Sequence, residues 1–346
     1  MEFFNDFSKF SKGIGHCITT IDSHTEGEAT RLIVNGLGDM KGRTMMDKLE
    51  WFKSRYDHIR CLLTKEPRGS KEILAALVTG NVTKNAKFGL IYMDAKRYPY
   101  LCGHATIGAV ATLAGTGFLE LEQGENSLFV DTPSGPVEAR MFVYEGKLVA
   151  VAINMVPSFV YDTGREIEVK GFGTIKVDLV CTGGFFAMVD SSQIRMEPVL
   201  ENKEILTDLG MKIIDAANEQ LMVSHPVRPD VKTIDVTEFY DSHHDQDQAF
   251  GRGMVIYGQS HADRSPCGTG TAAKLTLLHH YGKIKMNQKY INYSPLDTSF
   301  EAMLVKKEKV GPVDGFIVQI KGMAYLTGVH HFVVEDNDPF QQGFIM

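Results

Sequence analysis

The chain has 346 residues, of which 43% are hydrophobic and 23% are charged, a composition typical of a globular protein large enough for two domains. Its formal net charge is −7 and it has no long block of lysine and arginine, which argues against nucleic acid or an anionic membrane as the main partner. No apolar stretch approaches the roughly 20 residues that span a bilayer, and residues 1–12 lack the apolar core of a signal peptide. We therefore expect a cytoplasmic protein.

Short segments rich in valine, isoleucine and phenylalanine predict β-strands along most of the chain. These segments are 17–22, 31–34, 88–93, 128–131, 137–142, 148–154, 174–181, 185–189, 232–239, 254–257, 316–320 and 332–334. Four helices are predicted, at 71–79, 102–113, 206–222 and 267–281. The third of them is amphipathic and should cover a domain surface. Its apolar face carries Leu209, Ile213, Ile214, Ala217 and Leu221.

The helices at 102–113 and 267–281 are apolar on nearly every side, which is typical of a buried helix. They also belong to two segments that repeat each other at a constant offset of 165 residues, the separation between Cys102 and Cys267. The matched pairs are Tyr92 with Tyr257, Cys102 with Cys267, Gly103 with Gly268, Thr106 with Thr271, and Gly117 with Gly282. A shared register over about thirty residues indicates a duplicated unit. The sequence therefore predicts an α+β fold in which each half wraps β-sheets around one central buried helix.

The boundary between the halves is expected near the proline-containing stretch that follows the strand at 148–154. The first half would comprise residues 1–156, carry Cys102 and be completed by the C-terminal segment 327–346. The second half would comprise residues 157–326 and carry Cys267. No flexible linker separates them, so they should pack closely.

Each of the two matched cysteines stands at the start of its helix. Unpaired N–H groups and the positive end of the helix dipole favour a thiolate there and lower the thiol pKa. The adjacent Gly103 and Gly268 let a ligand approach the backbone, whose amides can hold a carboxylate. Two such sulfurs on opposite sides of an α-carbon suit inversion, in which one removes a proton and the other delivers one.

Other polar residues near the two thiols can be read in two ways. His104 and Asp263 could bind a substrate nitrogen or adjust the thiol pKa values, or they could be a structural histidine and a turn-capping aspartate. Tyr92 and Tyr257 could wall a pocket or belong to the rim of the core.

Several other patterns carry no chemistry on this interpretation. Cys17, Cys61 and Cys181 lie in apolar stretches without C-x-x-C spacing, so we interpret them as small buried residues rather than disulfide or zinc partners. The string HHDQD at 243–247 is interpreted as a solvated loop, and no metal is expected. G-x-G-x-x-G and a Walker lysine are absent, so no phosphate or dinucleotide cofactor is expected either.

The strings CGH at 102–104 and DRSPCGTGT at 263–271 resemble the proline racemase family. The resemblance extends over nearly the whole chain, through IDSHTEGEAT at 21–30, EPRG at 66–69, GGFF at 183–186 and the closing residues 338–344. It implies a diaminopimelate-epimerase-like fold of two pseudo-symmetric domains and a homodimer. It also implies catalysis without pyridoxal phosphate or another cofactor, with Cys102 and Cys267 as the two bases.

By the same resemblance, Gly103, His104, Gly268 and Thr269 bind the carboxylate or groups near it, while Asp263 and His104 face the ring nitrogen of a small amino-acid substrate. Members of the family include proline racemases, 4-hydroxyproline 2-epimerases and trans-3-hydroxy-L-proline dehydratases. The dehydratases typically replace one cysteine, whereas this chain keeps both. Leu74, Tyr92 and Tyr257 stand where proline racemases tend to have phenylalanines. Proline is the expected substrate, with hydroxyproline as the alternative.

Two readings from other functional classes are also open. A thiol–disulfide protein would use Cys102 and Cys267 as a redox pair, which the absence of C-x-x-C disfavours. A non-catalytic amino-acid-binding protein would keep its affinity when either cysteine is replaced by serine.

Overall fold

The computed structural model describes residues 17–245 and 248–346, which form eighteen β-strands and four α-helices. The strands are β1 (Cys17–Thr25), β2 (Glu28–Asn35), β3 (Leu74–Thr79), β4 (Ala86–Met93), β5 (Gly124–Thr132), β6 (Gly135–Tyr144), β7 (Lys147–Asn154), β8 (Ser158–Val169), β9 (Gly173–Thr182), β10 (Gly184–Asp190), β11 (Ile234–Tyr240), β12 (His243–Asp245), β13 (Gln248–Tyr257), β14 (His261–Ala262), β15 (Tyr290–Tyr293), β16 (Ser299–Val310), β17 (Val313–Gly322) and β18 (Ala324–Val333). The helices are α1 (Met45–Thr64), α2 (Gly103–Gly115), α3 (Lys203–Gln220) and α4 (Gly268–His280).

Sixteen of the strands form two sets of eight that pair in the same order and the same directions. The first set runs β18-β1-β2-β3-β4-β5-β6-β7, and the second runs β8-β9-β10-β11-β13-β15-β16-β17. In each set the third strand is parallel to the fourth and the fifth to the sixth, and the other neighbours are antiparallel. The last strands, β7 and β17, pair with each other and join the two sets.

A helix connects the two strands of every parallel pair, because parallel neighbours need a long crossover. Helices α1 and α2 make these connections in the first set, and α3 and α4 make them in the second. Helix α2 packs against β1, β2, β7 and β18, and α4 packs against β8, β9, β16 and β17. The two helices share one large apolar core. The prediction of one central buried helix per half is therefore confirmed.

The two central helices also end in the same way. Gly117 and Gly282 have positive φ values of 77° and 70°, and each directly follows the C-cap residue of its helix, Thr116 for α2 and Tyr281 for α4. One residue later, the N–H of Phe118 donates to the carbonyl of Leu113, and that of Lys283 donates to the carbonyl of Leu278. This is the Schellman arrangement that glycine favours at a helix C-terminus, and it repeats at the offset predicted from the sequence.

Helices α1 and α3 lie on the outer faces of the two sets. Leu206, Leu209, Ile213 and Ala217 on α3 are buried against a second apolar core, which confirms the predicted amphipathic helix. Of the other predicted members of that face, Ile214 and Leu221 are half-buried. Helix α1 covers a third core built on Ile33, Leu77 and Ile91. No helix in the described part of the chain is long and apolar enough to cross a membrane.

The structure corrects the prediction of a helix at 71–79. Residues Leu74–Thr79 form strand β3, which is parallel to β2 and buried on both faces. A strand of that kind reads as a continuous apolar run, and such a run cannot be distinguished from a buried helix by its periodicity. Helix α1 and strands β8, β12, β14, β15 and β16 were not predicted at all. The prediction of a loop at 243–247 is wrong for residues His243–Asp245, which form β12 and pair with β13.

Candidate active site

The N-termini of α2 and α4 meet at the centre of the molecule. Cys102 is the N-cap residue of α2 and Cys267 is that of α4. An ideal Cβ atom on Gly103 would lie 3.1 Å from Cα of Gly268, so the first residues of the two helices are in backbone contact. Ile320 packs beneath both, since its Cδ1 would lie 3.1 Å and 2.7 Å from Cβ atoms on the two glycines. The glycines are therefore needed for this close approach.

A cavity with an empty volume of about 470 Å³ opens at this junction. It brings together most of the residues that the sequence predicted for a site. Those lining it are Leu74, Cys102, Gly103, His104, Tyr257, Asp263, Cys267, Gly268 and Thr269. The structure adds lining residues that the sequence analysis did not single out, namely Arg97, Pro99, Leu101, Phe186, Val236 and Val255. A cavity of this size, with mostly apolar lining and a few polar groups, is typical of a small-molecule site.

Cys102 lies beside a buried histidine. Its Sγ is 3.3 Å from Nδ1 of His104, a residue that is only 3% exposed. Burial alone would lower the pKa of His104, but the nearby Cys102, followed by Asp263 and Glu28, raises that pKa to about 9. A protonated imidazole therefore lies beside Cys102 and can donate a hydrogen bond to its Sγ.

Cys267 has different surroundings. Its Sγ accepts a hydrogen bond from the N–H of Gly270 at 3.4 Å and lies 3.5 Å from Oγ1 of Thr269. Burial, assisted by the carboxyl group of Asp263, raises the thiol pKa well above its usual range, and the two hydrogen bonds offset this only in part. The backbone of Cys267 has a φ of 55°, which costs a non-glycine residue about 1–3 kcal/mol and is typical of functional positions.

The loop before Cys267 is held by Asp263. Its Oδ1 accepts hydrogen bonds from the N–H and the hydroxyl of Ser265, and the Ser265 hydroxyl accepts one from the N–H of Cys267. Burial raises the pKa of Asp263, and the carboxylate of Glu28 acts in the same direction. Asp263 is 2% exposed and lines the cavity, so it can present a carboxyl oxygen to a ligand.

The two tyrosines matched by the repeat are placed differently. Tyr257 lines the cavity, with its ring 4.9 Å from that of His261. Tyr92 is fully buried, its hydroxyl is 2.7 Å from Oγ1 of Thr106, and it is not among the lining residues. Tyr92, which was predicted to form part of the pocket wall, therefore does not line the cavity. Leu74, at the start of β3, does line it.

A charged cluster that the sequence analysis missed joins the two strand sets next to the site. Glu28 on β2 is 1% exposed and contacts His261 and Arg264, both from the chain segment that leads to Cys267. Burial would raise the pKa of Glu28, but His261 and Arg264 hold it well below its usual range. The signal available in the sequence was the EGE string at 26–28, which lies within the family resemblance.

The remaining cysteines lie away from the cavity. Cys61 and Cys181 are buried and Cys17 is half-buried, and burial raises the pKa of Cys181 to about 12. Among the described residues, no group of three or more histidine, cysteine or acidic side chains could hold a metal. Parts of two sequence predictions, the absence of a signal core at 1–12 and the solvated loop at 243–247, fall on residues 1–16 and 246–247, which lie outside the described residues.

Comparison with known proteins agrees with this arrangement. Residues 20–345 match the family model described as proline racemase. A proline racemase of Clostridioides difficile is 37% identical over 338 residues, which cover 98% of this chain and 99% of the relative. A 4-hydroxyproline 2-epimerase of Streptosporangium roseum is 33% identical over 326 residues, which cover 94% of this chain and 97% of the relative.

A solved structure of a hydroxyproline epimerase from Agrobacterium vitis, with bound trans-4-hydroxy-L-proline, superposes with a TM-score of 0.88 at 27% identity over 96% of each chain. The fold is therefore diaminopimelate-epimerase-like α+β, as predicted. The protein is an isomerase of the racemase and epimerase class. More specifically, the chain belongs to the proline racemase family.

Proposed function

We propose that the protein interconverts L- and D-proline without pyridoxal phosphate, using Cys102 and Cys267 as the two acid–base groups. The observation that carries this proposal is the meeting of two cysteine-capped helix N-termini in one cavity. Cys102 caps the central helix of the first strand set and Cys267 caps that of the second. A planar carbon held between the two helix ends would therefore have one sulfur on each face.

The substrate carboxylate would bind at the first turns of α2 and α4. The first backbone hydrogen bonds of these helices are donated by Thr106 and Thr271. The amides before them, on Gly103, His104, Gly268 and Thr269, therefore precede the ladder, and amides at this position bind anions. They would also offset the negative charge that develops on the carboxylate side when the α-proton leaves.

The proton transfers balance without any other reactant. The thiolate of one cysteine takes the α-proton and becomes a thiol, while the thiol of the other delivers its proton to the opposite face and becomes a thiolate. The reverse reaction exchanges the two roles. Asp263, which lines the same cavity, would receive the ring nitrogen of the substrate.

Proline is placed first because the proline racemase relative is similar over nearly its entire length at 37% identity. The second candidate, 4-hydroxyproline, is supported by the solved hydroxyproline epimerase and by two polar side chains on the cavity wall, Arg97 and Tyr257, which could bond a ring hydroxyl. A dehydratase of 3-hydroxyproline is disfavoured, because both matched positions are cysteines.

The test is incubation with L-proline in D2O without added pyridoxal phosphate, followed by chiral chromatography and mass spectrometry. We expect α-deuterated D-proline. Parallel incubations with trans-4-hydroxy-L-proline and trans-3-hydroxy-L-proline report the two alternatives, as the 2-epimer and a keto acid respectively. If no deuterium enters proline, the proposed proline racemase activity is wrong, and exchange in trans-4-hydroxy-L-proline would then support the second candidate.

Cysteine variants assign the reaction to the site. Cys102→Ser and Cys267→Ser should each lower racemisation by at least about 100-fold, because a serine hydroxyl is a far weaker acid and base at neutral pH. Cys17→Ser, away from the cavity, is the matched control and should keep full activity. An amino-acid-binding protein would show unchanged affinity and no turnover, and a thiol–disulfide protein would show reversible redox activity at these cysteines.

Pyrrole-2-carboxylate, a planar mimic of the deprotonated carbon, should protect Cys102 and Cys267 from alkylation. If Cys17, Cys61 or Cys181 is protected and these two cysteines are not, the assignment of the active site to this cavity is wrong.

A further inference from the structure

Behind Cys267 lies a buried acid–base pair for which the reaction described above has no role. Glu238 on β11 and Lys274 on α4 are both 0% exposed. Neither carboxylate oxygen of Glu238 has a hydrogen-bond partner among the described residues, whereas Nζ of Lys274 donates to the carbonyl of Arg252 at 2.8 Å. A buried carboxyl group without a partner is costly, so its presence at this position requires an explanation.

Two glycines make room for the carboxyl group and place it against the first turn of α4. An ideal Cβ atom on Gly270 would lie 2.7 Å from Oε2 of Glu238 and 3.3 Å from Cβ of Cys267. A Cβ atom on Gly253 would lie 2.7 Å from Oε1 of Glu238 and 3.5 Å from Nζ of Lys274. Glu238 therefore lies between the cysteine and the lysine, adjacent to the residue whose N–H bonds to the cysteine sulfur.

The first strand set has no such pair. Tyr92 pairs with Ala76 and Tyr257 pairs with Val236, so the two strand pairs share one register. In that register Glu238 corresponds to Val78. Helices α2 and α4 each have 13 residues, and the seventh is Ala109 in α2 and Lys274 in α4. Apolar residues thus stand behind Cys102 where an acid and a base stand behind Cys267.

The charged and titratable groups around the pair come from several elements. Around Cys267 and Glu238 these are Asp263, Lys274, Tyr240, Tyr257 and Tyr290, and around Lys274 they are Asp241 and Arg252. Burial raises the pKa of Glu238 to about 7, with Asp263 acting in the same direction and Lys274 against it. Burial lowers the pKa of Lys274 to about 8, and Glu238 partly offsets this.

We propose that Glu238, buried beside Lys274 behind the first turn of α4, is a positioning residue that helps to keep the proton on Cys267 and leaves the thiolate to Cys102 in the resting enzyme. A carboxylate near a thiol disfavours its ionisation, and on the other side of the cavity the imidazole of His104 favours it. In the resting enzyme the pair thereby adds to the difference that His104 and Asp263 create between two sulfurs that the repeat places equivalently. This inference rests on the proposed two-cysteine reaction.

The test measures alkylation of each cysteine by iodoacetamide as a function of pH, with peptide mass spectrometry separating Cys102 from Cys267. In the unmodified protein Cys102 should react at lower pH than Cys267. In Glu238→Gln the profile of Cys267 should shift to lower pH. Its rate at neutral pH should rise roughly three- to tenfold, since one pKa unit changes the thiolate fraction about tenfold. The profile of Cys102 should not move.

If the single variant does not fold, the double variant E238Q/K274M replaces it, because it leaves no unpaired buried charge. The alkylation profile of Cys267 should shift to lower pH in this variant too. Glu125→Gln, which removes a surface carboxylate paired with Arg140, is the matched control and should change neither profile. If the Cys267 profile of the folded variants matches that of the unmodified protein, the pair is only structural and the inference is overturned. Racemisation by the unmodified protein is assayed separately. A missing racemase activity would contradict the proposed function, and an unchanged alkylation profile of Cys267 would contradict this inference. The two results are independent of each other.

Discussion

The two cysteines are equivalent in the repeat, but their neighbours are not. His104 stands beside Cys102, whereas the matching residue beside Cys267 is Thr269. Asp263 is the largest charged influence that raises the pKa of Cys267. An imidazolium stabilises a thiolate and a carboxylate destabilises one. The duplication therefore supplies the two sulfurs, and the residues that differ between the halves determine their protonation.

Replacing His104 with glutamine should shift the acidic limb of the kcat/KM profile for racemisation to higher pH. The pKa of His104 is raised to about 9, so this histidine is protonated at neutral pH and loses its charge only as the pH rises through that value. Glutamine keeps a polar side chain but carries no charge, so the Cys102 thiolate forms only at higher pH. We expect kcat/KM at pH 7 to fall about tenfold or more, with partial recovery toward pH 9.

The pH–rate profile from pH 6 to 10 is the measurement for this variant. His58→Gln, on the exposed side of α1, is the control and should reproduce the unmodified profile. A uniform loss of activity at every pH would mean that His104 acts by shape or substrate contact rather than by its charge.

At this scale, sequence reasoning identified the residues that belong to the repeat and to its family strings, and it missed those that only folding brings near. Arg264 lies 236 residues from Glu28 along the chain, so no local pattern connects the two. Glu238 left a signal that was not used. In the strand Ile234–Tyr240 it lies on the same face as Val236 and Tyr240, because side chains two residues apart point the same way. A lone glutamate on the apolar face of a strand indicates a buried charge.

At the scale of elements, the site depends on how closely the two central helices approach. Cα of Gly268 lies next to Gly103, and Ile320 fills the space beneath them. Both helices are buried among apolar side chains, so neither can move aside without opening the core.

Gly268→Ala should therefore abolish most of the racemase activity. The new Cβ atom would lie 2.7 Å from Cδ1 of Ile320 and 3.1 Å from Cα of Gly103, which forces the helix N-termini apart. We expect a loss of about 1–3 kcal/mol in the free energy of unfolding and a larger proportional loss in kcat/KM. Urea denaturation and the racemisation assay measure the two effects.

Gly38→Ala is the matched control, because nothing lies within 4 Å of a Cβ atom at that position. In G268A/I320V the contact with Cδ1 is removed while the contact with Gly103 remains, so stability should recover more than activity does. Equal recovery of both would show that helix spacing is not what limits the reaction.

The helices that sequence patterns predicted well are those with a clear apolar face or with apolar residues on every side. Helix α3 shows a 3.6-residue apolar period, and α2 and α4 are apolar all round. The segment 71–79 was predicted to be a helix because its buried strand has no alternation. Helix α1 has a non-helical residue, Tyr56, within it, which interrupts its period. Its existence follows from topology, since parallel β2 and β3 need a crossover.

At the scale of the whole molecule, the duplication is more extensive than the sequence showed. The two strand sets match strand for strand and helix for helix, yet the matching sequence register covers only the region around the cysteines. Strand β1 begins at Cys17 and its counterpart β9 at Gly173, while β5 begins at Gly124 and its counterpart β15 at Tyr290. Because the offset drifts between these pairs, the single offset of 165 residues matches the segment 87–117 and does not extend over the whole strand set.

The last strand, β18, pairs with β1, which is the pairing expected if the C-terminal segment completes the first half. The division into residues 1–156 with 327–346 and residues 157–326 stays a prediction, as does the homodimer. What the structure adds is the contact between the two sets at the site, where Glu28 of the first set bonds to Arg264 of the second.

Replacing Arg264 with methionine should destabilise the whole protein in a pH-dependent way. Glu28 accepts hydrogen bonds from the backbone N–H, Nε and Nη2 of Arg264, and removing the guanidinium leaves a buried carboxylate whose remaining side-chain partner is the ring nitrogen Nε2 of His261. Breaking such a pair costs about 3–5 kcal/mol at neutral pH. Urea denaturation at pH 7 gives this difference in the free energy of unfolding.

The sign of the pH dependence follows from the pKa of Glu28, which the folded protein lowers from its usual 4.5 to about 2. A carboxyl group of this kind stabilises the fold above its unfolded pKa, and the stabilisation is lost as the pH falls toward the folded value. The unmodified protein should therefore lose stability as the pH falls from about 5 toward 2, while Arg264→Met loses less, so the two curves converge in acid. Arg165→Met, which breaks an exposed pair with Asp162, should run parallel to the unmodified protein at every pH. A constant difference for the Arg264 variant would assign its effect to lost packing of the arginine stem instead.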